Sequence, residues 1–186
     1  MNLVICISGS AGTGKSTQAT VIAKKYGLKY ASAGSIFRDI ARERGLSLKE
    51  LSEHVLEDTS IDLEIDKRTK ALAKAGNIVL EGRLTAWMTK GIEALRIYLR
   101  CPLETEIKRV AERDGRSLEE ARAETIAREE SERVRYSKIY GIDVRDLSIY
   151  DIVVNTDIYS IESVTKILIT AVDEYIANMD KRSNRC

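Results

Sequence analysis

Apolar runs and amphipathic stretches alternate along this chain from its first residues. Leu3 to Ser8 is a continuous apolar run ending at glycines, the pattern of a central parallel strand buried on both faces. A helical pattern follows from Lys15 to Tyr26, then a short second strand from Leu28 to Ser32. Ser35 to Glu57 is a charged amphipathic run broken near Gly45, and Ser47 with Glu50 makes a capping box where the helix restarts. Ile61 to Lys74 reads as a further helix stopped by Gly76. Asn77 to Leu80 is a third strand whose centre, Ile78-Val79-Leu80, is expected to be fully buried, with Glu81 and Gly82 at its tip. Ala94 to Leu99 is a fourth strand closed by Cys101 and Pro102, and Asp151 to Val154 is a fifth. A last amphipathic helix runs from Ser160 to about Met179.

Strands that alternate with helices form βαβ units, so the fold class is α/β: a five-stranded parallel sheet flanked by helices. Between the fourth and fifth strands, Leu103 to Tyr150 is highly charged and poor in large apolar residues, which predicts helix projecting from the core as a mobile lid. At 186 residues and 44% hydrophobic, the chain can bury one good core, and a single domain is expected over 1–186. There is no internal repeat or low-complexity linker to divide it.

Charge and cysteine content narrow the classes of partner. Thirty Lys and Arg against 29 Asp and Glu leave no excess to attract nucleic acid or an anionic membrane, so anion binding must be local. The start, Met1 to Ser8, lacks the charged leader of a secretion signal, and no apolar stretch approaches membrane-spanning length. Cys6, Cys101 and Cys186 are far apart and form no C-x-x-C pair, which indicates neither a disulfide framework nor a zinc site. A cytoplasmic monomer is the expectation.

The local anion site is explicit. Gly9-Ser10-Ala11-Gly12-Thr13-Gly14-Lys15-Ser16 fits G-x-x-x-x-G-K-[ST] and sits between a buried strand and a helix, the context a phosphate-binding loop requires. Its glycines let successive N–H groups turn inward onto phosphate oxygens, and the helix beginning at Lys15 adds its positive end. Lys15 is placed to reach the β and γ phosphates of ATP, Ser16 to ligate Mg²⁺, and Thr17 to bond the α phosphate.

Such loops serve GTPases, motor ATPases and kinases alike, so the remaining motifs decide the reaction. No Asn is followed by Lys, which removes the guanine-reading N-K-x-D, and L-S-G-G-Q is absent. The second strand ends in Ser32-Ala33-Gly34, followed by Ile36-Phe37-Arg38, and the third ends in Glu81-Gly82-Arg83. Carboxyl ends of parallel strands lie on the ligand side, so Arg38, Glu81 and Arg83 should converge on the γ phosphate. S-A-G-x-I-F-R, L-E-G-R-L, the later arginine-rich stretch, Tyr140-Gly141-Ile142-Asp143 and Leu147-Ser148-Ile149-Tyr150-Asp151 together resemble the nucleoside monophosphate kinases, and most closely the short archaeal-type cytidylate kinases.

The resemblance implies transfer of the γ-phosphoryl of Mg-ATP to CMP and to dCMP. It implies a helical acceptor-binding part at about 34–76 and a helical lid at about 103–150. Ser32 and Arg38 would hold the acceptor, with Arg38 on its phosphate, and Arg83 would contact the acceptor too. Arg109 and Arg113 would serve the ATP side, and Arg128 and Arg135 the transferring phosphoryl or the acceptor. Independently of the resemblance, Glu81 ends a buried strand like a Walker-B acid and is expected to bind a water on Mg²⁺; the plainer alternative is an acid that holds the strand end or pairs with a nearby arginine. The reacting group would be handled by Lys15, Arg83, Arg128 and Arg135.

Electrostatics asks for several arginines whatever the acceptor. ATP beside a monophosphate brings about six negative charges into one cleft, and Mg²⁺ with Lys15 offsets about three. The plainer alternative for the lid arginines, Arg133 included, is an ion-paired solvated face, since Leu103 to Tyr136 carries eight Lys or Arg and ten Asp or Glu. No general base stands out. His54, the only histidine, falls in a helical run away from the strand tips and is expected at the surface. Trp87 with Met88 is expected to pack under the acceptor helix rather than stack on a base, and Cys6 to lie in the core; Asp143, Asp146 and Asp151 are expected to cap turns, with the alternative that one of them reads the amino group of cytosine. Two other readings stay open: a kinase for AMP, UMP or a small metabolite, and a non-catalytic nucleotide switch, for which Arg38 and Arg83 would be useless.

Overall fold

In the computed structural model, which describes residues 2–183, five parallel strands lie in the order β2-β3-β1-β4-β5. Met1 and Cys186 lie outside the described residues. The first strand, β1 (Val4–Gly9), is buried along its whole length because it is central, paired to β3 (Ile78–Glu81) on one side and β4 (Leu95–Arg100) on the other. Ile5 sits opposite Val79 and Leu95 in the two registers. β2 (Lys29–Ser32) and β5 (Ile152–Asn155) are the edges. The expected strands are all present, each shifted by about one residue, which is the usual uncertainty of strand ends.

Successive side chains of a strand point to opposite faces, and the two cores follow that rule. Leu3, Ile5 and Ile7 face α1 (Lys15–Tyr26) and α8 (Ile161–Ser183), meeting Ile22, Leu168 and Val172. Val4 and Cys6 face the other way, toward Ala73 of α4 (Ser60–Ala75). α8 continues one turn past the expected Met179. Residues 33–75 fold as α2 (Ala33–Glu43), α3 (Leu48–Glu57) and α4 around their own small core of Ile36, Ile40, Leu51 and Ile61. The break at Gly45 and the Ser47–Glu50 capping box are both formed. The charged segment after β4 becomes α6 (Leu103–Asp114) and α7 (Leu118–Tyr140), joined through Ile107, Val110, Ala111 and Ala121. This cluster packs against Ala11, so α6 leans on the glycine-rich loop rather than standing away from it. No helix among the described residues is long and apolar enough to cross a membrane.

A short helix, α5 (Thr85–Met88), follows β3 and went unread in the sequence because four residues carry no periodicity. Arg96 on β4 holds this region. Its guanidinium donates to the carbonyls of Thr89 at 2.7 Å and Ile92 at 2.8 Å, and more loosely to Ala94 at 3.3 Å and Ala86 at 3.4 Å. The buried Thr89 hydroxyl lies 3.3 Å from the Cys6 sulfur, tying the segment to β1. These bonds fix the segment between α5 and β4. Replacing Arg96 with Met strands several part-buried carbonyls, and urea denaturation should show a loss of about 1–3 kcal/mol. An unchanged midpoint and slope would mean that the Arg96 bonds do not hold this segment.

Candidate active site

The loop between β1 and α1 has a shape that only glycine permits at two points. Gly9 has φ +148°, and a Cβ there would lie 2.2 Å from the Leu99 carbonyl oxygen. Gly12 has φ +74°, and its Cβ would lie 2.6 Å from the carbonyl oxygen of Glu106 in the first turn of α6. The loop is therefore clamped between β4 and α6 by backbone contacts that leave no room for a side chain. Gly14, also at positive φ, precedes α1 without capping it through a side chain, so the first-turn N–H groups remain available to an anion. Thr13, fully buried, donates to the Ser10 carbonyl at 2.8 Å and braces the loop from inside.

Lys15 curls back over this loop, its ammonium donating to the Ser10 carbonyl at 2.5 Å. The residue is only half-buried by surface area, yet desolvation of the ammonium pushes its pKa down to about 8. Glu81 pulls the other way, while Arg83 and Arg128 add to the lowering. Ser16 donates to the Glu81 carboxylate at 3.0 Å, and Tyr30 on β2 donates to the same oxygen at 2.6 Å. A hydroxyl and an ionisable carboxylate thus sit side by side at the base of the cleft, held from the edge strand by Tyr30.

Arg83 reaches across from the tip of β3. It donates to Glu129 at 2.7 Å, pairs with Glu132 at 2.7 Å and approaches the Ser10 hydroxyl at 3.3 Å. Arg128 pairs with Glu132 at 2.8 Å, so one nearly buried acid on α7 holds two arginines. The same cleft, about 580 Å³, is lined by Lys15, Ser16, Ser32, Arg38, Arg83 and Arg128. Ser32 there is also the cap of α2, accepting from the Ser35 N–H at 2.9 Å. Arg38 is exposed and lies over Gly34, whose missing Cβ would be 3.6 Å from its guanidinium.

Two further hollows open from this cleft. On one side, about 650 Å³ is bounded by Thr17, Arg109, Arg113, Tyr159 and Ile161, sharing Gly12, Gly14, Thr17 and Arg113 with the cleft. Arg109 donates to the Thr156 carbonyl at 2.8 Å, the Thr156 hydroxyl at 3.0 Å and the Gly12 carbonyl at 3.3 Å, joining the loop to the segment after β5. Arg113 is exposed and paired with Asp114 at 2.7 Å. On the other side, a smaller hollow of about 360 Å³ lies among α2, α3, α4 and α7 and shares Ala33, Gly34, Arg128, Glu132 and Tyr136 with the cleft. Arg135 is found here, 2.8 Å from Asp62, and not among the residues lining the phosphate-loop cleft.

The remaining expectations sort out plainly. Arg133 pairs with Glu130 on an exposed face, as the solvated-face alternative describes. His54 is exposed on α3, Cys6 is fully buried, and Trp87 is half-buried outside the hollows just described. Asp143 and Asp146 accept from N–H groups two residues on, and Asp151 accepts from the Arg96 N–H. Tyr30, Asp62, Glu106, Glu129 and Glu132 escaped the sequence reading. Glu106 lies beneath the loop at 5% exposure, and burial first, then Glu129, pushes its pKa up to about 7. Glu132 carried one signal, its place four residues after Arg128, but so did other acids on the same charged helix.

Residues 4–158 match the model of the cytidylate kinase-like family. A cytidylate kinase of Staphylothermus marinus is 49% identical over 94% of this chain and 98% of its own length. A second, from Desulfurococcus amylolyticus, is 47% identical over 92% of this chain and 94% of its own. Among solved structures, a shikimate kinase from Bacteroides thetaiotaomicron superposes with a TM-score of 0.64 at 14% identity, covering 93% of this chain and 99% of that one, a likeness of fold alone. A five-stranded parallel sheet with a glycine loop clamped at its centre, matched by near-full-length relatives, places this chain in the cytidylate kinase-like family.

Proposed function

We propose that this protein transfers the γ-phosphoryl group of ATP to CMP, giving ADP and CDP, with dCMP as a second acceptor. The observation that carries the reading is the continuous trench: a hollow on each side of one cleft, with the phosphate loop between them. A nucleotide bound in each hollow would turn its phosphates toward Lys15. The curated relatives, cytidylate kinases by name, choose CMP as acceptor; the fold does not, since a shikimate kinase shares it.

ATP lies with its nucleoside beside Arg109 and Arg113 and its phosphates against the N–H groups of Gly9 to Thr17, Thr17 bonding the α phosphate and Lys15 the β and γ. Mg²⁺ fits the base of the cleft: Ser16 and Glu81 offer a hydroxyl ligand and a carboxylate that binds through a water. Among the described residues no group of three acids, histidines or cysteines gathers around a cation. That suits an ion which keeps its waters and takes its other ligands from phosphate. Held there, Mg²⁺ would offset negative charge on the phosphates.

The acceptor phosphate sits near Ser32, Arg38 and Arg83, with Arg135 on the acceptor side. Arg83 and Arg128 are neutralised by Glu129 and Glu132 before any phosphate arrives. Phosphates therefore compete for arginines that are already aimed, and the acids hold those arginines until the exchange. No base is needed, because an acceptor phosphate with second pKa about 6 is ionised at neutral pH. Alignment and charge neutralisation do the chemistry. The α6–α7 segment, within 103–150, closes to exclude water that would otherwise hydrolyse ATP.

ADP release from Mg-ATP, followed in a coupled assay with CMP, dCMP, UMP, AMP, GMP and no acceptor, decides the reading. Turnover that depends on CMP supports it. Strong activity with only another monophosphate removes the cytosine assignment, and acceptor-independent hydrolysis or none moves the protein to the nucleotide switch. Lys15 adds a pH signature. Burial holds the pKa of the free ammonium down at about 8, and phosphate binds its charged form and raises that pKa. Above pH 8 binding must take up a proton, so the KM for ATP should rise about tenfold between pH 7 and 9. Lys15→Ala should lose turnover by at least about 100-fold with its circular dichroism unchanged, and should lose the pH signature. Arg38→Ala should raise the KM for CMP by about tenfold or more with a smaller effect on kcat; an unchanged KM would remove Arg38 from the acceptor phosphate.

A further inference from the structure

Tyr30 has no part in the chemistry proposed above, yet it touches the acid placed on the cation. It lies on β2 two residues before Ser32 and so on the same face of the sheet, and Ser32 is in register with Glu81 on β3. The ring lines the phosphate-loop cleft at 40% exposure, and its hydroxyl donates to Oε2 of Glu81 at 2.6 Å. Ser16, from the first turn of α1, donates to the same oxygen at 3.0 Å. Hydrogen bonds to a carboxylate are of the stronger kind. The two donors differ in what else they must do. A hydroxyl has one proton to donate and lone pairs to offer, and Ser16 must turn a lone pair to the cation when Mg-ATP enters. Tyr30 is asked for nothing but its proton, and the β2–β3 ladder anchors it.

We propose that Tyr30 is a positioning residue for the metal: its hydroxyl fixes the direction in which the Glu81 carboxylate meets a water on Mg²⁺. This rests on the kinase reading and on the Mg²⁺ site given there, and it deepens both. Glutamate is a flexible side chain, and a carboxylate left unheld at a strand tip must be ordered at the moment the cation arrives. Held beforehand from the edge strand, it is ordered by the sheet. Donors in the outer shell of a metal site orient carboxylates in this way, and losing one typically costs about 10–100-fold in metal affinity or activity. A plainer role is open to the same bond, that of tying β2 to β3. The ladder from Lys29 to Ser32 already makes that tie, and the tyrosine bond ends instead on a carboxylate that lines the cleft beside Ser16.

Calorimetry of ATP binding, with Mg²⁺ and with EDTA, tests this without turnover. The ratio of the two Kd values measures how strongly cation and nucleotide support each other. Tyr30→Phe keeps the ring and removes the hydroxyl, and it should shift that ratio against the cation by about tenfold, mainly through weaker binding of Mg-ATP. The Mg²⁺ concentration that half-saturates turnover should rise by a similar factor, with the KM for CMP changed by less than about twofold. Glu81→Gln should shift the ratio by itself, and Tyr30→Phe added to it should change the ratio by less than about twofold, since the hydroxyl acts through that carboxylate alone. A merely structural Tyr30 would lower the Tm and leave the ratio at its wild-type value, which would overturn the proposal. A further loss of about tenfold in the Glu81→Gln background would overturn it too. The ring is part exposed on an edge strand, so the variant loses no buried packing; Tyr30→Leu, which also lacks the hydroxyl, repeats the comparison should Tyr30→Phe not fold. Failure of the kinase reading looks different: wild type would then release no acceptor-dependent ADP, while the ratio is read with ATP alone.

Discussion

Lys15, Arg83 and Arg128 line one narrow cleft, and their mutual repulsion is the constraint to which the surrounding architecture responds. Cations brought this close must be countered until polyphosphate arrives. Glu81 does so from the tip of β3, and Glu129 and Glu132 from α7. Each acid is itself held: Glu81 by Ser16 and Tyr30, Glu132 by two arginines at once. Removing one member would leave a partly desolvated charge unpaired, which costs more than the pair contributes when intact. The ion pairs are best understood as keeping arginines oriented, so that less reorganisation remains when phosphates replace the acids.

The sheet supplies the rigidity that this charge arrangement needs. β1 is buried along its length and delivers the loop at its carboxyl end, where Gly9 meets the backbone of β4 and Gly12 the backbone of α6. β3, next to it, delivers Glu81 and Arg83, and β2 beyond that delivers Tyr30 and Ser32. Adjacent parallel strands thus bring residues from positions 10, 32 and 83 to one edge without any long loop. The helices are less constrained. α2–α4 and α6–α7 have small cores of their own, the second resting on Ala11 of the loop.

Much of this was legible in the chain itself where the physics is local. Periodicity placed the strands to within about a residue and located the longer helices, because a strand buried on both faces must be apolar throughout and a capping box needs only four consecutive residues. The phosphate loop was legible for the same reason: glycines at fixed spacing, a lysine and a serine define it without reference to anything distant. Convergence of Arg38, Glu81 and Arg83 followed from parallel topology. What the tertiary structure alone decided were the pairings across long stretches of sequence: Tyr30 with Glu81, Arg83 with Glu129 and Glu132, and Asp62 with Arg135. In a segment with eight cations and ten acids, any arginine has several acids within a helical turn, and no local rule says which are turned inward. Burial makes that selection, and burial is a property of how α4 and α7 pack against each other, which single-helix patterns do not contain.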